Sequence, residues 1–218
     1  MKKDTDIASE FSKNYDEVIG KVCKPYHRFI KIAADAVPED IASVCDIGIG
    51  TGNLSFAIQQ RLPSLTVHGV DLNPSSLEKA RQKFGVSSAL RLYQQDAFNV
   101  NLPTADYYVS SLTFHHLEAE EQKRKLLEIA QKAQGFIHLD LMLSNGRNTQ
   151  DVTQEVLSYA RRHFPEAENL RRIRDEIMEK DRPLPIKEHA ALFLSHGLKF
   201  TLLAHEFPFA VYHVTQRQ

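Results

Sequence analysis

The segment Val44-Cys45-Asp46-Ile47-Gly48-Ile49-Gly50-Thr51-Gly52-Asn53 holds three of the nine glycines in this chain of 218 residues. Glycine makes up about 4% of the chain against a usual share of about 7%, so the cluster answers a local requirement. The run 41–47 before it (IASVCDI) is apolar and reads as a buried strand, and 53–61 after it (NLSFAIQQR) reads as a helix. Glycines at such a corner let the backbone turn sharply and touch a ligand. The unpaired N–H groups of the helix start lie just behind them.

Outward from this corner the alternation continues. Residues 65–71 (LTVHGVD), 89–94 (ALRLYQ), 105–111 (ADYYVSS) and 136–142 (FIHLDLM) read as strands, with helices at 74–84 and 118–134. Strands alternating with helices predict an α/β fold, a Rossmann-like doubly wound sheet. The C-terminal part breaks the rhythm. There 149–180 reads as two helices interrupted at Pro165, and 186–196 as a helix capped by Gly197. Strands at 198–205 and 209–216 follow with no helix between, so an antiparallel hairpin should complete a seven-stranded sheet. Ahead of the sheet, 5–36 reads as two helices separated near Gly20 and Pro25. One domain is expected, with a helical segment over 1–38, a core over 41–142, a helical insertion over 144–186 and a closing helix and strand pair over 187–218.

Spacing and charge choose the ligand. Dinucleotide loops use G-x-G-x-x-G, whereas here the third glycine is Gly52 and Asn53 stands where that pattern needs glycine. Asp46 ahead of the loop would repel a pyrophosphate and suits a ligand carrying an ammonium group. This favours S-adenosylmethionine over NAD. The segment Asp46-Ile47-Gly48-Ile49-Gly50-Thr51-Gly52 resembles the first motif of class I S-adenosylmethionine-dependent methyltransferases. The resemblance spans 41–142 well and the C-terminal strand pair more loosely. It implies that Asp46, Gly48, Gly50 and Asn53 line the methionine end of the cofactor.

Two further acids fall at strand ends. Asp71 lies about 20 residues beyond the glycine loop, where a carboxylate can accept both ribose hydroxyls of an adenosine. NAD would want the same acid, and Asp71-Leu72-Asn73-Pro74 also reads as a helix entry. Leu72 is expected against one adenine face. Gln95-Asp96-Ala97-Phe98 resembles the adenine motif of the family, which implies that Asp96 accepts from the exocyclic amine and the Ala97 N–H binds the ring. Phe11 and Tyr15-Asp16 resemble the opening pattern of the ubiquinone and menaquinone-type branch, in which that segment folds over the cofactor. Tyr15 and Tyr26 are the candidate lid aromatics, and the same residues also suit a core-facing stripe.

Methyl transfer from a sulfonium is a displacement that requires alignment and exclusion of water, so a catalytic triad is not expected. The stretch after the fourth strand, Ser110-Ser111-Leu112-Thr113-Phe114-His115-His116, should lie beside the methyl group, with Ser111 among the cofactor contacts. His115 or His116 suits a general base by its titration near neutrality, and both equally suit structural roles. His138 and Asp140 share one face of the fifth strand, so Asp140 either borders the substrate pocket or makes a structural bond. No metal is expected, since adjacent histidines rarely supply two ligands and the sequence marks no third. The insertion is the expected specificity element. Between Arg161 and Arg182 it carries seven Lys and Arg against six Asp and Glu, which reads as a solvated, salt-bridged helix face.

Net charge is −1 and the hydrophobic share 42%, which fits a globular chain and lacks the basic surplus of a nucleic-acid enzyme. The proline motif of base-directed amino methyltransferases is absent after strand four. No apolar run reaches membrane-span length. Two cysteines give no disulfide framework, and the N-terminus has no apolar signal core, so a reducing cytoplasmic setting is expected. A small-molecule methyltransferase is the leading reading. A protein that binds or modifies S-adenosylmethionine without methyl transfer, as carboxy-S-adenosylmethionine synthase does, is the alternative. An NAD-dependent oxidoreductase ranks lower, and oligomeric state is left open.

Overall fold

The computed structural model describes residues 15–164 and 166–217; the expectations at Phe11 and Pro165 lie outside the described residues. Two helices come first, α1 (Tyr15–Val22) and α2 (Tyr26–Asp35). The alternating core follows as β1 (Ser43–Ile47), α3 (Asn53–Arg61), β2 (Thr66–Asp71), α4 (Pro74–Phe84), β3 (Leu90–Gln94), β4 (Tyr107–Ser111), a 3₁₀ turn (Phe114–His116), α5 (Ala119–Lys132) and β5 (Gly135–Leu141). Helices α6 (Thr149–Ala160), α7 (Ala167–Lys180) and α8 (Ile186–Ser195) precede the hairpin strands β6 (Leu198–Glu206) and β7 (Phe209–Gln216).

The sheet has seven strands in the order β3-β2-β1-β4-β5-β7-β6. The first five are parallel, and β7 runs antiparallel to both β5 and β6. The last strand thus enters beside β5 and leaves β6 at the edge. Strands buried on both faces read as apolar runs, and period-two alternation sorts their side chains between two cores. Val44, Val109, Ile137, Leu139 and Val211 pack with α1, α2, α3 and the insertion helices. Cys45, Ile47, Tyr108, Phe136 and Tyr212 pack with α5 and α8. Helices therefore cover both faces, as a doubly wound sheet requires.

Helix ends follow local chemistry. Asn73 accepts from the Ser75 and Ser76 N–H groups with Pro74 at the first position of α4. Asn148 and Asp151 form a capping box at α6. The insertion leaves and rejoins the sheet at one point. There the Leu143 N–H donates to Leu184 O at 3.0 Å and the Ile186 N–H to Leu143 O at 3.0 Å, forming a bridge between Leu143 and Pro185. Over the insertion, Ile173 and Ile177 are buried while Arg172, Arg174 and Lys180 pair with neighbouring acids. The insertion also rests on the N-terminal helix, because the Tyr159 hydroxyl donates to Gly20 O at 3.2 Å. Among the described residues no helix is long and apolar enough to cross a membrane.

Candidate functional site

Strand order reverses between β1 and β4, and open parallel sheets bind ligands outside the carboxyl ends of strands at such a reversal. A cavity of about 230 Å³ lies there. Its lining includes Tyr15, Tyr26, Asp46, Gly48, Gly50, Asn53, Asp71, Ser111 and His116, nine of the residues singled out from sequence.

The glycine loop forms its floor. Gly48, Gly50 and Gly52 have φ of 68°, 53° and 82°, the left-handed region that other residues avoid. At Gly48 space is also closed, since a Cβ would stand 2.4 Å from Thr113 Cγ2. The Gly48 and Ile49 N–H groups donate to Val70 O at 2.9 and 3.1 Å, and the Gly50 N–H donates to Asp71 Oδ2 at 2.8 Å. Asp71 Oδ1 accepts the Asn73 N–H at 2.8 Å, so this strand-end acid holds both the loop and the start of α4.

Asp46 is almost wholly buried. Its Oδ2 accepts the Ser55 hydroxyl at 2.7 Å, while Oδ1 has no partner. Burial pushes its carboxyl up to about 7; the Ser55 hydroxyl opposes the shift and the Asp71 charge adds to it. Ser111 Oγ is likewise buried and unpartnered. Two orphaned polar atoms on one cavity wall fit a bound group with hydrogen-bond donors, such as an ammonium.

Helix α1 is fastened across the mouth. Asp16 accepts the Thr51 hydroxyl at 2.5 Å and Asn53 Nδ2 at 2.9 Å, and pairs with Lys83 Nζ at 2.8 Å. Lys83 also donates to Asn53 Oδ1. Asn53 Nδ2 donates to the Tyr26 hydroxyl at 3.0 Å. Burial raises the Asp16 carboxyl, but bonds from Lys83, Thr51 and Asn53 outweigh it and hold the group below the usual carboxylate range. Burial pushes the Tyr15 and Tyr26 phenols up, so both remain neutral donors.

Other expected residues are placed elsewhere. Leu72 is 66% exposed and does not line the cavity. Neither do Asp96 and Ala97; Asp96 accepts the Phe98 N–H at 3.0 Å and Asn99 Nδ2 at 2.6 Å within its own turn. Of the histidine pair only His116 reaches the cavity. Asp140 faces away from it, because it shares the sheet face of Phe136, which α5 and α8 cover. Its carboxylate accepts the backbone N–H groups of Phe114, His115 and Leu141 and pairs with His115 Nδ1. His138 Nε2 lies 3.2 Å away. Burial alone would lower His115; the charges of Asp140 and Asp181 push it up to about 9 instead. The structural bond is thus the arrangement observed at Asp140.

The cavity also contains residues given no individual role from sequence. Leu112 has φ of 55°, a strained value for a branched side chain and one that propensity argues against. Thr51, Leu54, Ser76 and Thr113 line the cavity too. Thr51 lies within the quoted loop, Asp16 within the Tyr15-Asp16 pair, and Leu112 and Thr113 within the stretch expected beside the methyl group, so those four carried a signal; Leu54 and Ser76 did not.

Residues 44–133 match the family described as methyltransferase domain. An uncharacterised methyltransferase of Bacillus cytotoxicus is 30% identical over 130 residues, covering 57% of this chain and 59% of the relative. The carboxy-S-adenosyl-L-methionine synthase of Staphylococcus epidermidis is 22% identical over 208 residues, covering 90% and 88%. The plantazolicin methyltransferase BpumL, solved with S-adenosylhomocysteine, superposes with a TM-score of 0.69 at 15% identity, covering 96% of this chain and 90% of that one. The chain spans less than two thirds of the length of the first curated relatives it matches. With the fold and site described, residues 44–133 resemble a methyltransferase domain, and the chain shares its fold with solved methyltransferases.

Proposed function

We propose that this chain binds S-adenosylmethionine in the glycine-loop cavity and transfers its methyl group to a small-molecule acceptor in a reducing cytoplasmic setting. The observation that carries the reading is Asp46 Oδ1, a buried carboxylate oxygen without a partner on the wall of a cavity at the strand reversal. A dinucleotide phosphate would meet repulsion there, whereas the ammonium of an amino-acid moiety would satisfy it. Asp46, Ser111, Gly48, Gly50 and Asn53 would hold the methionine end. Asp71 would take the ribose hydroxyls, and the adenine would extend beyond the cavity toward Leu72, Asp96 and Ala97. When bound, the cofactor supplies an electrophilic methyl on a sulfonium.

The chain then has to align the acceptor and keep water out. Tyr15 and Tyr26 close the mouth through the Asp16, Thr51 and Asn53 bonds. Insertion 144–186 packs on α1 and would shape the acceptor side. His116 borders that side, and His115 and Asp140 support it from behind without reaching the cavity.

Calorimetric titration with S-adenosylhomocysteine and with NAD tests the binding. The first should bind and the second should not, and NAD binding alone would overturn the reading. Release of S-adenosylhomocysteine across a panel of hydroxyl, amine and thiol acceptors tests the transfer.

A further inference from the structure

Behind the cavity, three side chains from distant parts of the chain converge. His115 and His116 come from the turn after β4, and Asp181 comes from the end of α7 in the insertion. Asp181 Oδ1 lies 3.2 Å from His116 Nδ1 and 3.7 Å from His115 Nε2. All three ligand atoms lie within 4.8 Å of one another. Asp181 is 4% exposed, yet its Oδ1 makes no hydrogen bond. A buried carboxylate oxygen facing two imidazole nitrogens is costly to leave in that state.

We infer that His115 Nε2, His116 Nδ1 and Asp181 Oδ1 form a binding site for a divalent first-row metal ion such as Zn²⁺. Ligands about 2.1 Å from an ion at a tetrahedral angle stand about 3.4 Å apart, close to the 3.2 and 3.7 Å that separate Asp181 Oδ1 from the two imidazole nitrogens. Imidazole and carboxylate together suit a borderline cation of this kind.

The surroundings are built for the same task. Asp140 pairs with His115 Nδ1 and so fixes the ring with Nε2 turned outward, the carboxylate-histidine arrangement that orients metal ligands. The Arg182 N–H donates to His115 O at 2.6 Å, and Gln122 Nε2 donates to Phe114 O at 2.8 Å and Arg182 O at 3.3 Å. These bonds clamp the Asp181 segment against the histidine turn. Glu118, Glu176, Glu179, Lys180 and Arg182 line the adjoining groove with His116, and there Lys180 pairs with Glu176 and Arg182 with Glu118. His116 lines both the groove and the glycine-loop cavity, so the candidate ion site adjoins the proposed methyl-donor site through that residue. The sequence marked no third ligand because Asp181 lies on the far side of the insertion.

The test is a Zn²⁺ titration of the untagged full chain against a chromophoric chelator, with Co²⁺ absorption as a second readout. One ion per chain and a tetrahedral Co²⁺ spectrum are expected. Asp181→Asn and His116→Gln should each weaken binding at least about 10-fold, while His196→Gln, at an exposed helix end, should not. His116 is half exposed, so its variant keeps the fold even where Asp181→Asn does not. Zn²⁺ affinity unchanged by His116→Gln, or absent from the unaltered chain, overturns the site and leaves a cluster that holds only a proton. Neither readout requires methyl transfer, so the ion site and the proposed activity stand or fall separately.

Discussion

Asp71 Oδ2 accepts the backbone N–H of Gly50 at 2.8 Å, so the acid at the end of β2 also fixes the shape of the glycine loop. Asp71→Ala therefore removes the proposed ribose acceptor and a loop anchor together. Charged hydrogen bonds contribute roughly 1.5–3 kcal/mol each, so affinity for S-adenosylhomocysteine should fall at least about 10-fold. Asp71→Asn should fall less, since its amide oxygen can still accept from Gly50. Calorimetry checks both; unchanged affinity in the alanine variant would place the ribose elsewhere.

Asp46 gives the binding a pH signature. Its carboxyl titrates at about 7 because burial favours the neutral form, and a ligand ammonium favours the charged form. Affinity for S-adenosylhomocysteine should therefore rise from pH 5.5 to about 7 and level above it. Asp46→Asn should bind more weakly with a flat profile over that range. A flat profile in the unaltered chain counts against the ammonium contact.

Removing the carboxylate of Asp16 should loosen the mouth without unfolding the chain. Asp16 is half exposed, and pairs of that kind contribute about 1 kcal/mol or less to stability. Asp16→Ala should thus leave the melting temperature within a few degrees of the original. Hydrogen exchange in Tyr15–Val22 should accelerate, and ligand affinity should drop several-fold. Unaltered exchange would show that α1 is held by its apolar face alone.

Acid sensitivity should have a contribution from His189. Its ring is buried against the Tyr212 hydroxyl at 3.0 Å, and burial lowers it to about 3. An unfolded histidine titrates near 6.5, so below that pH the unfolded chain binds a proton that the native chain refuses. Stability should fall by roughly 1 kcal/mol per pH unit as pH drops from 6.5 toward 4. His189→Gln should flatten that slope in urea titrations, at some cost to stability at neutral pH.

Gly48 tests the loop itself. Gly48→Ala adds a Cβ against Thr113 in a left-handed backbone, which costs about 1–2 kcal/mol in conformation alone. A lower urea midpoint together with lost ligand binding is expected. Full binding at full stability would mean that the loop has a second, relaxed conformation.

The glycine-loop side of the cavity was legible because its determinants are local. Gly48, Gly50 and Gly52 are spaced by the turn they make, and Asp46 and Asp71 stand at strand ends where the topology delivers them to one crevice. Period two correctly grouped His138 with Asp140, but it cannot say which face of the sheet meets the cavity, and theirs is the opposite one. The left-handed backbone of Leu112 could not be read, since it opposes the residue's own propensity. Asp181 could not be read either, because its place depends on where the insertion returns to the sheet.

The bridge between Leu143 and Pro185 closes that insertion at its neck. Both ends of the excursion are fixed by the sheet, so its interior length is weakly constrained, each doubling of a loop costing only about 0.6 kcal/mol in closure. The segment between them can be exchanged as a cassette while the glycine loop and its acids stay untouched. Recombination at two neighbouring points would thus probe the proposed part of this segment in acceptor choice without touching the glycine loop.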